Sequence, residues 1–117
     1  MSQASRSIQV FGFYLAVAGL LLAAVPNTLL PLLGFRTSTE IWVRMVGLLT
    51  LILAFYFLHS VRYDDRPFYR ATVTARVVFF TGATLFVLLG LAGPMLIAFG
   101  LVDLVGAAWT WSALRSS

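Results

Sequence analysis

The chain contains no cysteine and no lysine, a single histidine, and only eight basic and four acidic side chains among 117 residues. Each shortage excludes something. Without cysteine there are no disulfides, no iron–sulfur clusters and no thiolate metal sites. A lone histidine is a poor nucleus for any other metal centre, so neither metal nor cofactor is expected. Charged residues make up 10% of the chain, whereas a soluble domain carries about 25%, so a polar surface cannot be built. Also missing are a glycine-rich phosphate loop, a nucleophile elbow, an HExxH motif, and any usable spacing of serine, histidine and acid. No catalytic residue is assigned, and the chain is read as non-enzymatic.

What remains is apolar. Hydrophobic residues make up 61% of the chain, and its mean hydropathy is +0.96. Four spans of about 20 residues would use roughly 80 positions, leaving only short loops and tails. The sequence predicts one all-α domain over 1–117, a polytopic four-transmembrane-helix bundle with spans at about 8–25, 41–58, 71–91 and 94–114. Leu22-Ala23-Ala24 loosely suits a signal-peptide cleavage site, but the remainder is equally apolar, so the first segment is read as a retained helix. Pro26 ends it. The stretch 26–35 holds two prolines and a glycine and is too short to span, which predicts an interfacial or re-entrant turn. Ser38 or Thr39 is expected to cap the second span, with Glu40 near its positive end. Between the second and third spans lies the most polar stretch, 59–70, in which Pro67 reads as a breaker. Gly90-Leu91-Ala92-Gly93-Pro94 predicts a tight turn, with Pro94 suited to the first turn of the last helix.

The net charge of +4 would point to nucleic acid in a soluble protein. Here every basic residue is an arginine bordering an apolar segment, so the charge sets orientation and no nucleic-acid partner is expected. Four spans put both termini and the middle loop on one side, with Arg6, Arg62, Arg66, Arg70, Arg76 and Arg115. The positive-inside rule then predicts cytoplasmic termini in an inner (cytoplasmic) membrane. Trp109 and Trp111 would lie at the cytoplasmic interface and Trp42 at the opposite one. Tyr56, Tyr63 and Tyr69 read as part of the same aromatic belt.

Small residues mark the expected seams. They are Gly12, Ala16, Gly19 and Ala23 in the first span, Gly47 and Ala54 in the second, Gly82 or Ala83 with Gly90 in the third, and Gly100, Gly106, Ala107 and Thr110 in the fourth. Any one stripe, the first above all, could instead serve a homo-oligomer.

Three ionisable residues fall inside spans, where each costs about 2.5–3.5 kcal/mol at the bilayer centre. Asp103 is expected near the midplane, with Arg44 and Arg76 each roughly 9 Å from it in height. One reading is structural: a buried ion pair or a protonated Asp103, with Arg76 snorkelling to the headgroups. Another makes Asp103 a proton- or cation-binding carboxylate, and a third has Arg44 and Arg76 bind an anionic ligand. Glu40 and Arg44, four residues apart, are expected to pair at the outer mouth. Arg62, Arg66 and Arg70 are expected to contact anionic lipid headgroups or a docked protein. Asp64-Asp65 reads as a solvated face.

The glycine-bearing first helix, the turn through Pro26 and Leu29-Leu30-Pro31-Leu32-Leu33-Gly34, and Arg44 followed by Gly47 together resemble small bacterial four-helix membrane proteins of the DoxX-like type. Asp103-Leu104 before Gly106 and Trp109 is similar to their last helix. Some members of that group accompany quinone-linked oxidoreductases, so the resemblance implies at most an accessory membrane role and assigns no catalytic residue. The leading expectation is an accessory or structural subunit that packs with itself or with a larger membrane complex. The alternatives are a small oligomeric proton- or ion-coupled transporter or channel using Asp103, and a lipid or quinone binder.

Overall fold

In the computed structural model, which describes residues 2–116, the chain is helical, with no strand among the described residues. Four helices are long and apolar enough to cross a membrane: α1 (Gln3–Ala24), α3 (Ile41–Val61), α4 (Arg66–Leu88) and α5 (Met95–Arg115). Between the first two lie a single helical turn, α2 (Pro26–Leu29), and a 3₁₀ turn at Pro31–Leu33.

The ends of these helices follow from local chemistry. Ser2 accepts a hydrogen bond from the Ser5 amide and starts α1 five residues ahead of the expected span. Asp65 does the same for the Phe68 amide, so α4 starts at Arg66. Pro67 therefore does not break a helix. It occupies the first turn, where a missing N–H costs nothing. At the start of α3, neither Ser38 nor Thr39 caps the helix. Glu40 holds the cap position without a side-chain bond to the helix, and the Ser38 hydroxyl accepts from the Glu40 amide at 3.1 Å. Gly34 reverses the chain after the 3₁₀ turn with φ of 83°, a left-handed value that favours glycine.

The packing order across the molecule is α3, α1, α5, α4, with α1 against both α3 and α5, and α5 against α4. The α1–α3 crossing is the tightest. A methyl group built on Gly47 would lie 2.8 Å from the Gly19 carbonyl oxygen and would meet the Ala23 amide nitrogen more closely still. Backbone therefore touches backbone there, as small residues permit in membrane helices. Gly100 packs against Phe80 and Ala83 where α5 meets α4. Ala83 is the seam residue of α4, because a methyl at Gly82 meets nothing. Gly90 stands in the expected turn, with φ of 77°, and not in the seam.

The α1 N-terminus, the 62–65 loop and the α5 C-terminus share one end of the molecule. The core sits towards that end, where Ala4, Ile8, Phe11, Phe57, Tyr69 and Ala113 form one buried cluster. Near the connecting loop α3 and α4 also meet, with Phe57 edge-on to Phe68 at 5.5 Å. The overall dimensions, 44 × 29 × 17 Å, describe a flattened arrangement of helices whose outward faces are broadly apolar.

Candidate functional site

Arg76 is the centre of the polar interior. It is 3% exposed, so it does not snorkel to the interface. Its Nε donates to the Thr72 carbonyl at 3.1 Å, and its Nη2 donates to the hydroxyls of Thr72 at 3.0 Å and Thr110 at 2.9 Å. Phe11 covers the guanidinium at 4.7 Å from the ring centre, with Phe57 at 6.0 Å. These distances suit a cation–π contact. The polar chain continues into α1, where Thr110 bonds Ser7 at 2.7 Å and Ser7 donates to the Ala4 carbonyl at 2.7 Å. A hydroxyl has one proton, so Ser7 must accept from Thr110, which in turn accepts from Arg76. One directed chain thus ties α4, α5 and α1 together.

Two features of this cluster are incomplete. The Arg76 Nη1 is buried without a hydrogen-bond partner. It lies 3.1 Å from where a methyl on Gly106 would stand, so that glycine makes its space. Asp103 lies on α5 one turn before Gly106–Ala107 and is half-buried. It is within electrostatic reach of both Arg76 and Tyr14. Among the described residues it makes neither a hydrogen bond nor an ion pair.

Arg44 stands apart from this cluster. Its Nη1 donates to the carbonyls of Ala23 at 2.7 Å and Ala24 at 3.1 Å. The break at Val25-Pro26 leaves those last carbonyls of α1 without helical partners, and a cation there also offsets the helix dipole. The expected Glu40–Arg44 pair consequently does not form, since Glu40 instead accepts from the Trp42 Nε1 at 2.6 Å. The three charged residues inside the spans are therefore divided: Arg76 and Asp103 lie close, and Arg44 has a separate task.

At the end shared by the termini, Arg62 and Arg70 are exposed, and Arg66 pairs with Asp64 at 3.4 Å. His59 is exposed between Phe55 and Tyr63. No group of three or more metal-binding side chains occurs among the described residues. Tyr69 is not a belt residue. It is fully buried, and its hydroxyl lies 2.9 Å from the Ser5 hydroxyl, to which it donates, and 3.4 Å from the Ser60 carbonyl.

Ser5 also donates to Asp64 at 2.7 Å. That bond is the main cause that holds the Asp64 carboxyl below its ordinary range; burial opposes it, and the nearby Arg66 charge and a further bond from Ser2 add to the lowering. Because the folded-state value is depressed, the stabilisation is complete above the ordinary Asp value of about 4 and is lost as pH falls below it. The melting temperature in detergent should therefore drop on acidification through that window. Asp64→Asn should start lower and flatten this part of the profile, and an identical acid limb in the variant would refute the latch.

Compared with models of protein families, with curated proteins and with solved structures, the chain matches none.

Proposed function

We propose that this chain is a small, non-enzymatic integral membrane protein with cytoplasmic termini, acting as an accessory or structural subunit that packs with itself or with a larger membrane complex. The observation that carries this reading is Asp103, a half-covered carboxylate in the middle of α5 without a hydrogen-bonding partner among the described residues. In a bilayer such a group pairs with another polar group, either within the bundle or across an interface. A neighbouring helix can supply that partner, and the apolar flanks around Asp103 offer the packing surface. The arginine asymmetry and the tryptophan positions support the orientation. Arg62, Arg66 and Arg70 would then face anionic headgroups or a docked protein.

In native membranes, cross-linking should capture assemblies larger than one 12.8 kDa chain. Asp103→Leu should reduce their yield several-fold while the helix content stays unchanged. A wild-type protein that cross-links to nothing and purifies as a stable monomer would overturn the proposal.

The closeness of Asp103 to the Arg76 charge also favours a second reading, a small oligomeric proton- or ion-coupled transporter. Flux into proteoliposomes that is abolished by Asp103→Asn would select it over the first.

A further inference from the structure

At the end of the molecule opposite the termini, the break after α1 builds a cavity. Val25 leaves the helical region with φ of −137°, α2 and the 3₁₀ turn fold beneath it, and Gly34 sends the chain back towards α3. The Asn27 side-chain oxygen accepts from the Ser38 amide at 2.8 Å and fixes the returning segment. The half-open space has a volume of about 440 Å³, within the range of about 300–1,000 Å³ typical of small-molecule sites. Leu22, Leu30, Leu33, Val43 and Val46 make its walls apolar, while Arg36, Thr37 and Ser38 form a polar rim.

We infer that this cavity holds an acyl chain of an anionic phospholipid, with the lipid phosphate at Arg36. The inference rests on the membrane placement proposed above but not on assembly through Asp103. Three observations carry it. The walls offer a hydrocarbon chain what it seeks and offer almost no hydrogen bonds to a polar ligand. Arg36 is exposed at the rim and has no ion pair or hydrogen bond among the described residues. The neighbouring acid, Glu40, accepts from the Trp42 indole and does not line the cavity, where Arg36 is the one charged lining residue. The depth also fits. Val46 lies five residues into α3, or about 7.5 Å along its axis, so the cavity runs from headgroup level into hydrocarbon. Trp42, on the same wall, is at interfacial depth.

The test is native mass spectrometry of the purified protein with equal amounts of palmitoyl-oleoyl phosphatidylglycerol and phosphatidylcholine added. Wild type should retain one phosphatidylglycerol in preference to phosphatidylcholine. A basic residue near the surface contributes about 1 kcal/mol to anionic-lipid attraction, so Arg36→Gln should lower that preference about fivefold. Val46→Phe, which fills the cavity from its open side, should remove the retained lipid with helix content unchanged. Arg6→Gln, at the opposite end, should leave the retained lipid in place. An unchanged preference in Arg36→Gln, full retention in Val46→Phe, or equal losses in Arg36→Gln and Arg6→Gln would each overturn the inference. Membrane placement is read separately: a chain released by alkaline carbonate without detergent would fail on that ground.

Discussion

Replacing Gly47 by leucine is expected to separate α1 from α3 and to cost more stability than any other single glycine substitution in this chain. The added side chain meets main-chain atoms of Gly19, Leu22 and Ala23, none of which can rotate away. Overpacking usually costs about 1–3 kcal/mol because flexible neighbours give way. Here two helix backbones must move apart, so the loss should reach or exceed the top of that range. Even Gly47→Ala should be clearly destabilising. Gly82→Ala supplies the control, since its methyl enters open space and removing a helical glycine stabilises by about 0.5–1 kcal/mol. Unfolding in detergent, followed by circular dichroism, reads all three variants. Equal melting temperatures for Gly47→Ala and Gly82→Ala would refute backbone contact at the crossing.

Arg76 should show the second-largest effect, and its size should depend on the replacement. Arg76→Ala removes the stem from between Phe11 and Phe57 and leaves Thr72 and Thr110 without their donor. A loss of about 2–5 kcal/mol is expected, as for other large-to-alanine changes in a core. Arg76→Met keeps most of the volume. The bonds it forfeits are individually weak, since interhelical hydrogen bonds in membranes average about 0.6 kcal/mol. Burying the charge was itself costly, so the methionine variant should stay within about 1.5 kcal/mol of wild type. If methionine and alanine prove equally harmful, the fold depends on the guanidinium charge and not on the space it fills.

The long-range features legible in the sequence were those carried by long apolar runs. Four apolar segments, their breaks at Pro26 and 90–94, and the seam glycines Gly19, Gly47 and Gly100 follow from local composition, whereas Gly82 and Gly90 meet no neighbouring helix. Helix starts were less legible, because Ser2 and Asp65 lie in polar stretches where the hydrophobic count has already ended. Among the site residues, Arg76 and Asp103 stood out as charges in apolar surroundings. Their company did not. Ser5, Ser7, Thr72 and Thr110 are ordinary polar residues in membrane helices, and only the approach of α1, α4 and α5 turns them into partners. Tyr69 was read as interfacial for its position near a loop, yet it is enclosed by Ser5 of α1 and Ser60 of α3. Arg44 could be recognised as unusual from the sequence. Its bond to α1 depends on where the break at Val25 leaves two carbonyls.

The helix order α3, α1, α5, α4 leaves two different outer helices, α3 and α4, which touch each other only near the 62–65 loop. Association of like edges produces a two-fold pair and then stops. Association of unlike edges presents a fresh edge with every copy added, so it either continues as an array or closes into a ring.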